Sequence, residues 1–176
     1  VEKDIYSTFE LNYDTIGFIP QNPFTSLSMM TKIKDQFFCS NEKKEEVLKL
    51  VDLDISLLNK FPSQLSGGQI QRIVIAIALS RNIKLLLLDE PTTALDEENK
   101  TNIINLINDL KSRLNILILF VTHDIESIKD ICNEIIILKD GQVIEKGFTI
   151  DVLSTPKEDY TKKLINSTFK NKQFRN

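Results

Sequence analysis

The sequence lacks paired cysteines, long apolar runs and an excess of positive charge, and each absence argues against a class of protein. Its two cysteines, Cys39 and Cys132, have no CxxC or histidine pairing, which favours free thiols over a disulfide or metal site. The longest apolar runs, such as residues 73–79, fall far below the roughly 20 residues that span a bilayer. No signal peptide is visible. A net charge of −3, with acids and bases mixed, argues against nucleic acid as a partner.

Glycine is scarce in the first third of the chain, where Gly17 is the only one before Gly67. Proteins that bind nucleotide phosphates often do so with a glycine-rich loop that carries a lysine, G-x-x-x-x-G-K-[ST]. No such loop occurs in this sequence, and a single glycine leaves no room for a disguised one. The chain therefore lacks the usual cradle for β- and γ-phosphates.

The composition is that of an ordinary globular protein, with 176 residues, 41% of them hydrophobic and 27% charged. Buried strands are predicted at 15–20, 84–91 and 116–124, and a hairpin at 134–147 turns at Asp140-Gly141. Helical patterns lie at 42–51, 69–80, 96–114, 125–132, 150–154 and 158–168. This alternation predicts an α/β core with a partly parallel sheet and helices on both faces.

Four segments are predicted along the chain. Residues 1–25 and 82–147 would form the α/β core. Residues 26–81, which are polar and helix-like over 26–64, would form an inserted helical subdomain. Residues 148–176 would form a helical tail.

Each predicted buried strand ends in polar residues. Gln21 comes after the first strand, Asp89 and Glu90 close the second, and His123 closes the third. Taken singly, each is more often an ordinary strand exit. In an open parallel sheet, however, these ends share one rim, where ligands bind. Two acids, a glutamine and a histidine there suit nucleotide hydrolysis, since metal-bound phosphates need an acid and the attacking water needs an acceptor.

The segment LSGGQIQR, residues 65–72, sets two glycines at the start of a predicted apolar helix. A glycine pair alone is usually a turn. A helix N-terminus, however, carries unpaired N–H groups and partial positive charge, and glycine lets backbone come close to an anion. The segment therefore predicts an anion contact.

Five segments, in order, resemble the motifs of the nucleotide-binding domain of ABC-type ATPases. They are Gln21 for the Q-loop, LSGGQ (65–69) for the signature, LLLLDEP (85–91) for Walker B and its glutamate, TALD (93–96) for the D-loop and VTHD (121–124) for the switch histidine. The resemblance covers residues 15 to 168 approximately. It implies an ABC-type (RecA-like) P-loop ATPase core of the α/β class with an inserted helical subdomain.

The resemblance also implies ATP and Mg²⁺ as cofactors and a role for each rim residue. Asp89 would hold Mg²⁺ through water, and Glu90 would polarise the attacking water. His123 would contact the γ-phosphate. Gln21 would approach the metal and the water and couple them to a transport partner.

The signature segment would act across a subunit boundary. Ser66, Gly67, Gly68 and Gln69 would face the γ-phosphate of a nucleotide held by a second subunit. Asp96 would lie at the interface between the two subunits.

One departure from the family pattern is large, because the Walker A loop and the N-terminal strands that carry it are missing. We therefore expect the chain to be an N-terminally truncated piece that hydrolyses ATP at or near background by itself. We also expect it to expose apolar sheet surface and to associate.

The resemblance implies partners as well. One is a second ABC ATPase subunit, identical or different. Others are transmembrane permease subunits, which would dock through residues 26–64, and indirectly an extracytoplasmic substrate-binding protein. The chain would then be a peripheral protein on the cytoplasmic face of the membrane.

Two segments narrow the class of transporter. QNPFTSL (21–27) and TPKEDYTKKLINS (155–167) resemble segments of importers for peptides and nickel chelates. Two alternatives to an importer ATPase subunit stay open: a partner subunit that supplies only the signature segment and has no ATPase activity, and an ABC ATPase that takes no part in transport. The short insert without sustained heptads counts against the chromosome-organising type of the latter.

Overall fold

The computed structural model describes residues 15–93 and 95–173, apart from the side chains of Glu126 and of residues 168–173. Part of the predicted segment 1–25 and Ala94 of the TALD motif therefore lie outside the described residues. The chain divides into two compact units, one ending at Val121 and one beginning at Thr122. No helix in the described ranges combines the length and the apolar character needed to cross a membrane.

The first unit is built on a three-stranded parallel sheet. Its strands are β1 (Ile16–Ile19), β2 (Leu85–Asp89) and β3 (Leu117–Val121), in the order β1-β2-β3. Each lies within a predicted strand, and Leu87 of β2 pairs with Phe18 on one side and Leu119 on the other. The predicted parallel α/β core is confirmed, and the carboxyl ends of its strands lie along one edge.

The described part of this unit contains three α-helices: α1 (Asn41–Leu50), α2 (Gly67–Leu79) and α3 (Glu97–Arg113). Each begins after a residue whose side chain accepts a hydrogen bond from the first turn, and these caps are Ser40, Ser66 and Asp96. Most of α2 is buried, as its apolar sequence predicts.

The helical character predicted for residues 26–64 is confirmed only for α1. Elsewhere between Pro23 and Gln64 the chain forms loops and short 3₁₀ helices, which span Pro23–Ser26, Ile33–Gln36, Ile55–Asn59 and Pro62–Gln64. Side-chain acceptors explain two of them, because Asn22 accepts from the Phe24 N–H and Asp54 accepts from the Ser56 N–H. Such local bonds compete with helix propagation.

The two faces of the sheet differ. Gly17 and Leu86 lie on the buried face, where a Cβ on Gly17 would come within 3.2 Å of Ala78 in α2. The other face stays partly exposed, with Phe18 54% and Leu117 59% accessible. Within the described part of the first unit, helices therefore cover one face of the sheet, whereas the sequence predicted helices on both faces. The predicted apolar exposure is confirmed, whereas association stays a prediction.

The second unit consists of a hairpin and three helices: α4 (Ile125–Ile128), β4 (Glu134–Lys139), β5 (Gln142–Phe148), α5 (Thr149–Ser154) and α6 (Asp159–Gln173). The hairpin turn is the predicted one, since Asp140 and Gly141 both have positive φ, 49° and 76°. Helix α4 is shorter than predicted. The buried Glu145 carboxylate of β5 accepts hydrogen bonds from the backbone N–H groups of Lys157 and Glu158, and so fastens the start of α6 to the hairpin.

Candidate active site

The sheet edge brings together two of the predicted site residues. Gln21 lies two residues after β1, and Glu90 directly follows β2. The Gln21 side-chain N–H donates to Glu90 Oε2 at 3.3 Å. These residues are 69 positions apart in sequence, so their contact is a product of the parallel pairing of β1 and β2.

The backbone of Glu90 is strained and its side chain is held. Its φ is 43°, in the left-handed region that non-glycine residues rarely adopt. The Glu90 N–H donates to the Val121 carbonyl at 2.8 Å. Thr93 returns to Glu90 twice: its N–H donates to the Glu90 carbonyl at 3.2 Å, and its hydroxyl donates to Oε2 at 2.7 Å. Strain of this kind is concentrated at functional sites in proteins.

The donor set at this edge suits a magnesium ion carried by a nucleotide. Asp89 is the half-buried last residue of β2, and the exposed Gln21 amide would offer an oxygen ligand besides the nitrogen that donates to Glu90. Among the described residues, no group of three or more His, Cys, Asp or Glu side chains is arranged as a complete metal site. Mg²⁺ does not need one, because it commonly takes one or two carboxylates, substrate phosphates and several waters.

The signature segment forms a capped helix start. The Ser66 hydroxyl accepts from the Gln69 N–H at 3.3 Å, and the Gln69 side chain accepts from the Ser66 N–H at 3.0 Å. This reciprocal capping box begins α2 at Gly67. A Cβ on Gly67 would meet nothing closer than 4.0 Å, so the backbone here is open to approach.

Gly68 has a different reason to be glycine. A Cβ there would lie 2.6 Å from Asn99 Oδ1 on α3, so any larger residue would displace the Asn99 side chain from its present position. Asn99 in turn donates to both carboxylate oxygens of Asp96, at 2.8 and 2.9 Å. These bonds, led by the Asn99 backbone N–H, hold the pKa of Asp96 below its usual range. The signature segment and Asp96 are therefore linked through one asparagine, which the sequence alone did not single out.

His123 belongs to the second unit. It is exposed there, between Thr122 and Asp124, and the Asp124 N–H donates to the Thr122 hydroxyl at 3.0 Å. The predicted contact of His123 with the γ-phosphate stays a prediction.

A cavity of about 560 Å³ in the first unit lies away from this edge. Ile83 and Ile116, which precede β2 and β3, line it together with Lys43, Arg81 and Arg113. It therefore opens near the amino ends of the strands, whereas Gln21 and Glu90 lie at the carboxyl ends.

Comparison with known proteins gives the family. The family model described as "ABC transporter" matches residues 3–93, just over half of the chain. The methionine import ATP-binding protein MetN of Streptococcus thermophilus is 38% identical over 161 residues, which cover 86% of this chain and 45% of that protein. MetN of Bacillus subtilis is 42% identical over 124 residues, covering 70% of this chain and 36% of that protein. The chain thus spans less than half the length of these curated relatives.

Solved structures agree with these relatives. CbiO1 from Clostridium perfringens, part of the ABC transporter complex cbiONQ, matches with a TM-score of 0.72 and 28% identity, over 81% of this chain and 61% of that chain. The dimeric ATP-binding cassette MJ0796 bound to ADP and Pi matches with a TM-score of 0.65 and 33% identity, over 77% and 63%.

The expected α/β fold of ABC-type ATPase cassettes is therefore confirmed. The narrower resemblance to peptide and nickel importers is not supported, because the relatives described above are methionine importers. The matched family model establishes that this chain belongs to the ABC transporter family.

Proposed function

We propose that this chain is part of the ATP-hydrolysing subunit of an importer. The main support is the state of Glu90, an acid at the carboxyl end of a central parallel strand. It has a strained backbone and accepts hydrogen bonds from Gln21 and Thr93. A carboxylate held in this way beside a half-buried Asp89 suits proton transfer more than it suits stability.

In the proposed mechanism, Glu90 orients the attacking water and accepts its proton. Asp89 would hold Mg²⁺, and Gln21 would contribute its amide oxygen. The metal, when bound, neutralises the charge that develops on the phosphate oxygens. Gln21 is exposed and contacts Glu90 directly, so a movement of its loop would change the surroundings of the carboxylate.

The signature segment acts on the nucleotide of a second ATPase subunit. The N–H groups of Gly67 and Gly68 lie in the first turn of α2, where N–H groups have no partner within the helix and point past its N-terminal end. The Ser66 hydroxyl adds a further donor. These groups bind the γ-phosphate that the other subunit holds. Asp96 lies at the same interface.

The permease subunits would dock on residues 22–38, the segment with two 3₁₀ helices that follows Gln21. This segment exposes four large apolar side chains in fewer than 20 residues: Phe24 (40% exposed), Met29 (41%), Met30 (89%) and Phe38 (97%). Exposed apolar groups this close together mark interaction surfaces. Docking here would set the chain on the cytoplasmic face of the membrane and connect the permease to Gln21.

Methionine is the first candidate substrate, because the relatives above import it. Peptides or nickel chelates are the second, favoured by the QNPFTSL and TPKEDYTKKLINS segments. Stimulation of ATPase activity in the assembled importer by its binding protein, loaded with methionine or with a dipeptide, distinguishes the two.

The test of function uses matched substitutions in the assembled importer. Glu90→Gln removes the proton acceptor while keeping the side-chain shape, and should lower ATP turnover by about 10²–10⁴-fold. Glu134→Gln is the control, since Glu134 is an exposed residue of β4 in the second unit. Ser66→Asp keeps a good N-cap but adds negative charge where the γ-phosphate is proposed to bind, so it should also abolish turnover.

The outcomes separate the alternatives. Loss of turnover in both Glu90→Gln and Ser66→Asp, with Glu134→Gln normal, supports an ATPase subunit. Loss in Ser66→Asp alone would instead indicate a subunit that contributes only its signature segment. Full activity in all three variants would contradict the proposed function.

A further inference from the structure

We propose that Thr93 is a positioning residue for Glu90: its hydroxyl fixes the carboxylate in the orientation that accepts the proton of the attacking water. This inference rests on the proposed function. The observation behind it is the 2.7 Å hydrogen bond from Thr93 Oγ1 to Glu90 Oε2. That distance is typical of a charge-assisted bond, which is about twice as strong as a neutral one.

The turn from Glu90 to Thr93 leaves the hydroxyl little freedom. Its backbone is closed by the 3.2 Å bond from the Thr93 N–H to the Glu90 carbonyl. Pro91 fixes one torsion inside the turn, and Pro91 and Thr92 are both buried. Threonine is also stiff at χ1 because it is β-branched. The donor is therefore ordered before any ligand binds.

Thr93 and Gln21 play different parts, although both donate to Oε2. The Thr93 bond is short and lies within one turn, whereas the Gln21 bond is 3.3 Å long and joins separate segments through an exposed side chain. Movement of the Gln21 loop would break the second bond and leave the first intact. Thr93 thus keeps Glu90 aligned while Gln21 varies.

The first experiment measures steady-state ATPase kinetics of the assembled importer. Thr93→Val keeps the branched shape and removes the donor, while Thr93→Ser restores it. Loss of a hydrogen bond to a charged group should lower kcat by about 10- to 100-fold, with the KM for ATP changed by less than about twofold because ground-state binding is untouched. Thr101→Val is the matched control, since the exposed Thr101 hydroxyl bonds only the Glu97 carbonyl among the contacts seen here.

The second experiment needs no turnover. The ¹³Cδ signal of Glu90 in nucleotide-free protein, assigned by its loss in Glu90→Gln, should shift or broaden in Thr93→Val. It should be unchanged in Thr101→Val and near the wild-type position in Thr93→Ser.

The results distinguish failure of this inference from failure of the proposed function. If Glu90→Gln abolishes turnover but Thr93→Val retains wild-type kcat and an unchanged Glu90 signal, Thr93 has no positioning role. The same conclusion follows if Thr93→Ser fails to rescue kcat. If Glu90→Gln itself leaves turnover unchanged, the proposed function is wrong, and the inference falls with it.

Discussion

The backbone of Glu90 predicts an unusual order of stability among its variants. Glu90→Ala and Glu90→Gly both remove the carboxylate and its bonds to Gln21 and Thr93. They differ in the Cβ atom, which is unfavourable at the observed φ of 43°. We therefore expect the glycine variant to be the more stable of the two, although glycine is normally destabilising in an ordered segment.

The magnitude follows from two opposing effects. A left-handed backbone costs a residue with a Cβ about 1–2 kcal/mol. Glycine loses more conformational entropy on folding, by about 0.5–1 kcal/mol relative to alanine. The difference leaves Glu90→Gly ahead by about 0.75 kcal/mol at the mid-points of the two ranges and by about 1.5 kcal/mol at most; the mid-point corresponds to about 1.5–3 °C in Tm for a chain of this size. Urea titration and thermal melting of the purified chain would measure it.

A second position gives a control of opposite sign. Glu45 is an exposed residue inside α1, where glycine is about 1 kcal/mol worse than alanine. Glu45→Ala should therefore be more stable than Glu45→Gly, in the same unit and the same assay. If Glu90→Ala equals or exceeds Glu90→Gly in stability while the Glu45 pair behaves as expected, the backbone at Glu90 is not strained. The argument from strain to function would then be refuted.

Two further predictions concern buried polar groups. Gln71 is 1% exposed, and its side-chain amide has no hydrogen-bond partner among the described residues. A buried polar group without a partner lowers the free energy of unfolding by about 1–3 kcal/mol. Gln71→Leu should therefore raise Tm, and a lower Tm would contradict this. In the second unit, hydrogen bonds from the backbone N–H groups of Lys157, first, and Glu158 hold the pKa of Glu145 below its ordinary value of 4.5. Stability from Glu145 is therefore present above that pH and is lost as the pH falls through the lowered pKa. Melting at about pH 7 and about pH 3 should show a smaller change for Glu145→Gln than for wild type, and an equal change would remove Glu145 from the acid response.

The sequence predicts those parts of the structure that have a strong local cause. The continuous apolar run before Asp89 is typical of a strand inside a parallel sheet. In the structure this run is β2, which lies between β1 and β3. The Asp140-Gly141 pair tolerates positive φ, and the hairpin turns there. The meeting of Gln21 with Glu90 then follows from strand direction alone, because parallel neighbours end at the same edge.

The rest depends on contacts that no local pattern encodes. Two of the 3₁₀ turns, Pro23–Ser26 and Ile55–Asn59, follow the side-chain acceptors Asn22 and Asp54, and no periodic pattern in the sequence marks these bonds. Thr93 looks like one polar residue among several after a strand. Its spacing of three residues from Glu90, with Pro91 between them, is a turn signal that could have indicated the contact.

The signature and D-loop residues serve folding as well as the proposed chemistry, and this limits which substitutions can test function. Ser66 caps α2, Asp96 caps α3, and Gly68 makes room for Asn99 between the two helices. Replacing Ser66 by alanine or Gly68 by a larger residue would disturb helix starts and packing even in a chain without a ligand. Loss of activity in such variants would not separate the two roles. Substitutions that preserve the structural role, such as Ser66→Asp and Glu90→Gln, change only the charge or proton acceptor presented at the site, so only they report on the chemistry.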